Sequence, residues 1–248
     1  MNPLNLDDVY EFVNTYIMQF HEKRLDSIKK ANLKELVKKK NPYLFRSKNI
    51  SREPDYVSNI LDSFLASQEE TMFGEFLETL AIFISSKTDG GYKSSIKGVD
   101  LEFIRGDTFY LVQIKSGTNW GNSAQQEQLR THFEEALPSI QSQYPSLSVQ
   151  PVIGCCYGKK KKDDKNGILK LCGQNFWYFI SNNPNLYIEI IEPIGYESKK
   201  YNDDFIKAKD NLFNQLSLGF MQQFCLPNGA IDWEKLIQFN SKNLPSPS

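Results

Sequence analysis

Apolar side chains recur along this chain in two rhythms, and a change of rhythm marks an expected change of structure. Over residues 6–40 the spacing is helical: Val9, Phe12, Val13, Tyr16, Ile17 and Phe20 fall three and four apart and share one face. A second amphipathic stretch carries Ile28, Leu33, Leu36 and Val37. It ends on Lys38-Lys39-Lys40, where positive charge suits a helix C-terminus, and Pro42 stops it. Residues 55–87 predict one or two more helices, with Phe73, Phe76, Leu77, Leu80 and Ile84 on a common face; Gly90-Gly91 ends that pattern.

From there the period shortens. Strands are expected near 98–104 and 108–115, joined by Arg105-Gly106-Asp107 as a tight hairpin connection. Ser123 begins a helix, because Ser123-Ala124-Gln125-Gln126 has the form of a capping box. That helix carries Leu129, Phe133 and Leu137 and either stops near Pro138 or continues with a kink. Val149, Val152 and Ile153 predict a third strand running into Cys155-Cys156-Tyr157. Lys159 to Lys165 reads as a solvated loop, followed by a short strand at 168–172. Helices near 173–181 and 201–221 complete the body, and Pro245 to Ser248 is expected to fray.

This order of elements predicts an α/β fold, with a mixed central sheet of about five strands flanked by helices and an N-terminal helical layer. A single domain over 1–248 is expected: a helical part at 1–54, a core at 55–195 and C-terminal helices at 196–248.

Composition mostly removes alternatives. Apolar residues make up 40% and charged residues 24%, enough for a packed core without a disordered or fibrous bias. The start, Met1 to Asp8, is polar and acidic rather than that of a signal peptide. No run approaches the roughly 18 apolar residues a spanning helix needs, so a cytoplasmic protein with no membrane partner is expected. The four cysteines, at 155, 156, 172 and 225, lack the paired spacing of a zinc site and read as reduced, mostly buried thiols. With only His21 and His132, neither in a motif, a ββα-metal nuclease and a Ser-His-Asp hydrolase are both excluded. The net charge of −1 argues against a dedicated basic coat for nucleic acid, so any such contact must come from local clusters.

One segment carries chemistry. Side chains alternate along a strand, so Tyr110, Val112 and Ile114 enter one apolar layer while Phe109, Leu111, Gln113 and Lys115 share the other face. On the preceding strand Asp100 and Glu102 share a face. The hairpin therefore brings an acid, an amide oxygen and an ammonium to one edge of a sheet. Oxygen ligands of this kind hold Mg²⁺, and a nearby ammonium stabilises negative charge developing on a phosphate. Glu75 and Glu78 lie one helical turn apart, so at least one can face this edge. The alternative, polar residues merely facing water, is weakened by the adjoining segment of chain. Ser116 to Gln125, with Asn119, Trp120 and Asn122, is a loop of small and amide residues just before a helix, suited to a phosphate or a base edge.

These residues resemble a known family. Asp100, twelve residues, then Gln113-Ile114-Lys115 resembles the PD-(D/E)XK nuclease core, and KSGTNWGNSAQ after it is similar to a subgroup of type II restriction endonucleases. KNPYLFRSKN (40–49), ASQEETMFGEFLE (66–78) and LCGQNFWYFISNNPNLY (171–187) extend the likeness over about residues 35–195. The resemblance implies a restriction-endonuclease-like fold and Mg²⁺-dependent cleavage of double-stranded DNA at a short sequence. It further implies a homodimer for a palindromic site and a cognate DNA methyltransferase as cellular partner. It makes Asp100 and Gln113 metal ligands, Lys115 the catalytic lysine, and Glu78 the acidic residue on the preceding helix, with Glu75 in reserve. Val99 stands where the family name has Pro, and Gln113 where it has Asp or Glu, removing one negative charge from the metal site.

The alternatives are a structure-directed or repair nuclease of the same superfamily and a DNA-binding protein with a decayed site. Further DNA contacts are expected from the basic cluster at 34–52, including Lys40, Arg46 and Lys48, and from Lys160 and Gln174. Phe176 and Trp177 are expected in the core, and Trp120 is expected to anchor its loop.

Overall fold

A computed structural model describes residues 1–160, 163–165, 167–196 and 198–243; the side chains of 163–165 are not among those described. Lys161 and Lys162, within the expected lysine-rich loop, lie outside the described residues, as does the expected frayed tail at Pro245–Ser248.

The chain divides into two compact units. Gln19–Met72 with Glu197–Ser248 is helical. It contains the second part of α1 (Leu6–Lys30), then α2 (Leu33–Lys38), α3 (Pro42–Ser47), the first part of α4 (Glu53–Thr88), and later α9 (Ser198–Phe224) and α10 (Trp233–Ser241). Pro42 does not only stop α2: it opens α3 behind the Asn41 cap, because a missing N–H costs nothing at a helix start. The core of this unit is Leu36, Val37, Tyr56, Val57, Ile60 and Leu61 packed with Leu216, Phe220, Phe224 and Leu236. Val57, Ile60, Leu61 and Leu65 of α4, at three- and four-residue spacing, supply one wall. The pattern that allowed one or two helices belongs to a single 36-residue one.

Met1–Met18 with Phe73–Tyr196 holds the sheet. Its strands are β1 (Tyr92–Lys93), β2 (Leu101–Arg105), β3 (Thr108–Lys115), β4 (Ser148–Cys155), β5 (Asp163–Lys165) and β6 (Ile168–Cys172), in the order β1-β2-β3-β4-β6-β5. β1, β2 and β3 pair antiparallel, β3, β4 and β6 parallel, and β5 closes antiparallel on β6. The expected lysine loop thus contains a short strand. β2 begins at Leu101, leaving Asp100 just outside it. The turn is two residues long: Arg105 pairs with Thr108 across Gly106-Asp107, and Gly106 takes the positive φ of 56° that such a turn needs at its first position.

The parallel step from β3 to β4 is made through α5 (Ser123–Gln143). Its capping box is shifted by one residue from expectation: Asn122 caps, and Gln125 closes the box. Pro138 lies inside the helix, which runs on to Gln143. Leu129, Phe133, Ala136 and Ile140 of α5 pack on Phe109 and Leu111, so the face carrying Gln113 and Lys115 is roofed rather than open to water. The opposite face receives α6 (Gln174–Ser181): Gly154 leaves room for the ring of Phe176, and Phe179 meets Phe103 and Tyr110. Phe176 and Trp177 are core residues, as the aromatic pair predicts. Short helices α7 (Leu186–Glu189) and α8 (Ile191–Gly195), together with α3 and α10, carry too few residues to show a period.

Candidate active site

The site forms where α5 stops covering the sheet. Asp100 straddles Gln113 on the neighbouring strand: its N–H donates to Val112 O at 2.9 Å, and its Oδ2 accepts from Ile114 N–H at 2.7 Å. The carboxylate is thereby fixed, with Oδ1 left to face the site. Gln113 Oε1 is buried without a hydrogen-bond partner among the described residues, a condition a folded protein rarely tolerates unless the atom has another use.

The two glutamates on α4 separate. Glu78 joins Asp100 through a residue the sequence did not single out: Lys93 Nζ lies 2.6 Å from Glu78 Oε1 and 3.3 Å from Asp100 Oδ1. Burial works against the charge of Lys93, but the hydrogen bond to Glu78 and the attraction of both acids outweigh it and raise the pKa of the ammonium. Glu75 is exposed on the same helix. Glu102, the other acid of the hairpin, is turned away from this work: its Oε2 accepts from Tyr92 OH at 2.9 Å, its Oε1 from Ser94 Oγ, and the side chain is buried. Gly74 explains how the helix comes close. A Cβ there would stand 2.7 Å from Ser116 Oγ, so its absence lets the loop after β3 rest on α4 one turn before Glu78.

Lys115 ends β3 with its ammonium 5.3 Å from the centre of the Trp120 ring, and among the described residues no carboxylate pairs with it. Lys170 of β6 lies 5.9 Å from the same ring. Its place follows from register, since Gln113 pairs with Ile153 and Ile153 with Lys170. Trp120 packs against the α5 core, and its Nε1 is buried without a partner among the described residues; it anchors the loop, as expected.

The loop residues fare differently. Ser116 is half-buried and Asn119 exposed. The side-chain oxygens of Asn122 and Gln125 accept from each other's backbone N–H groups in the cap, leaving their amide donors for any outside partner. Lys160 and Gln174 line one cavity of about 870 Å³ with Tyr157 and Tyr187, and Gln174 Nε2 donates to Pro184 O at 2.8 Å. Lys40, Arg46 and Lys48 belong to the helical unit, where Lys40 Nζ bonds Ser63 Oγ at 2.6 Å and Arg46 faces the Trp233 ring.

The four cysteines are free thiols; burial first, then the neighbouring Cys172, pushes Cys155 up to about 12. Among the described residues no three His, Cys, Asp or Glu side chains gather to hold a metal ion. The groups that could hold one are instead the carboxylates of Asp100 and Glu78 and the orphaned amide oxygen of Gln113, hard oxygen donors of the kind that suits Mg²⁺. Lys93 and Lys170 carry no mark in the sequence because each reaches the site through a strand pairing rather than a motif.

No helix among the described residues is long and apolar enough to cross a membrane. No curated protein matches the chain. The family model for the type II restriction endonuclease EcoO109I matches residues 7–202.

Proposed function

The chain belongs to the EcoO109I family of type II restriction endonucleases, and we propose that it hydrolyses double-stranded DNA at a short specific sequence with the help of Mg²⁺. The observation that carries this reading is the meeting of Glu78 and Asp100 beside an unpartnered Gln113 Oε1. Asp100, Gln113 and Glu78 are the residues that would hold the ion, which when bound supplies Lewis acidity and a water of lowered pKa.

The rest is the work of the chain. Lys115, steadied against Trp120, places its ammonium beside the attacked phosphate and offsets the negative charge that grows there. Ser116, Asn119 and the amide donors of Asn122 and Gln125 hold the DNA at the loop. Lys40, Arg46 and Lys48 contact phosphates, and Lys160 and Gln174 contact the duplex from their cavity. For a palindromic site the enzyme acts as a homodimer, two-fold symmetry in the protein matching that in the DNA. It works in the cytoplasm beside a methyltransferase that modifies the same sequence.

Gln113 itself favours one second reading, sequence-specific binding without cleavage, because a neutral ligand weakens the metal site. Phage DNA incubated with the purified protein and Mg²⁺ tests both. Discrete fragments, absent with Lys115→Ala, are expected. Specific retention of uncut DNA in Mg²⁺ and in Mn²⁺ would instead establish the decayed site.

A further inference from the structure

We propose that Lys93 is a resident cation of the metal site: in the metal-free protein its ammonium holds Glu78 and Asp100 together, and it vacates that position when the divalent ion enters. The proposal rests on the reading of Asp100 and Glu78 as metal ligands.

Its ground is the shared position. Nζ lies 2.6 Å from Glu78 Oε1 and 3.3 Å from Asp100 Oδ1, a bridge between two carboxylates that would otherwise repel. Oδ2 of Asp100 already accepts from Ile114 N–H, so Oδ1 is the oxygen it turns to a cation. An ion that takes Oδ1 and a Glu78 oxygen therefore needs the space the ammonium fills.

Lys93 is also free to go. Its side chain is 54% exposed, and it stands on a two-residue strand at the rim of the sheet. Its four-carbon stem lets the ammonium move without disturbing the backbone. Arg105, by contrast, is held by an acid, a carbonyl and three rings.

Charge gives the exchange a direction. Gln113 contributes none, so Glu78, Asp100 and Lys93 together carry one negative charge. A divalent ion replacing the ammonium brings the site to neutrality and releases a positive group beside the place where phosphate arrives. Metal and DNA then help each other: the phosphate gives Lys93 a new partner, and its departure clears the metal position.

Mn²⁺ titration of the DNA-free protein, followed by calorimetry and by the electron paramagnetic resonance of free Mn²⁺, tests this without any cleavage readout. Lys93→Met should bind Mn²⁺ about tenfold more tightly than wild type, since a competing unit charge at close range is gone. Lys93→Arg, which keeps the bridge, should bind no more tightly than wild type. Circular dichroism verifies that each variant is folded. Equal or weaker binding by Lys93→Met overturns the proposal. Asp100→Asn separates this failure from that of the metal site. Binding lost in Asp100→Asn but indifferent to Lys93→Met overturns the role of Lys93 alone. Binding that survives Asp100→Asn, or none in wild type and Lys93→Met alike, overturns both.

Discussion

The two ends of the β2–β3 hairpin use similar residue types in opposite ways. At the turn end, Arg105 reaches Asp89 with two nitrogens, at 3.2 and 2.5 Å, and donates to Phe179 O at 2.7 Å. Its guanidinium also lies over the rings of Phe103, Tyr110 and Phe179. At the other end, among the described residues, Gln113 Oε1 has no partner, Asp100 shares an exposed ammonium, and Lys115 rests on a ring instead of an acid. Glu102, two residues from Asp100, shows the same division within a short stretch of chain: both of its oxygens are taken by Tyr92 and Ser94. Satisfied polar groups hold a fold together, whereas a cluster of polar groups left wanting at one edge of a sheet makes that edge the candidate for a ligand.

Substitutions at either end can break this contrast. Lys115→Ala should lower cleavage about a thousandfold while specific DNA binding and thermal stability stay near wild type, because one charge-stabilising donor is lost. Near-normal cleavage would remove Lys115 from the chemistry. Arg105→Ala should do the reverse. It strips the buried Asp89 carboxylate of its close partner and leaves it the Met1 ammonium at 3.9 Å, costing about 3 kcal/mol, read as a lower urea midpoint, with the cleavage rate per folded molecule preserved. A rate that collapses without a change in midpoint would make the turn end functional too.

Gln113→Ala should cost about a hundredfold in cleavage, whereas Gln113→Glu should tighten Mg²⁺ binding by the free protein and keep substantial activity; calorimetry beside a cleavage assay checks both. If Gln113→Ala cuts like wild type, its oxygen is not a ligand. Glu102→Gln should have the smallest effect, about 1 kcal/mol of stability through weaker bonds to Tyr92 and Ser94, with cleavage intact. A severe loss of cleavage there would transfer the metal role to Glu102.

The hairpin was legible in the sequence because its signals are local: alternation in residues 108–115, Gly106 in the turn, and polar side chains falling together at the end of β3. Lys93 was not, since a two-residue strand after Gly90-Gly91 has no period to read, and its meeting with Glu78 depends on how α4 passes the sheet. Lys170 is hidden for the same reason, being two parallel strands from Gln113. The cap moved by one residue because Asn122 and Ser123 are both good caps, and only the backbone decides between Gln125 and Gln126 as the reciprocal partner. The 36-residue helix carries apolar faces for both units, so its periodicity blurs over its length and sequence alone allows one helix or two.

The sheet changes from antiparallel to parallel pairing at β3, and this gives the molecule an order of assembly. Glu78, Lys93, Asp100, Gln113 and Lys115 all lie on the antiparallel side, within one continuous stretch of chain from α4 to the end of β3. Bringing them together closes only short loops, so little entropy is lost before their contacts form. The parallel side must wait for α5 to be threaded back across the sheet before β4 and β6 can pair. A chain still emerging from the ribosome therefore holds the residues of the acid cluster well before it holds β6 with its Lys170. The acid cluster is encoded in the early contacts of folding and the parallel half of the sheet in the late ones.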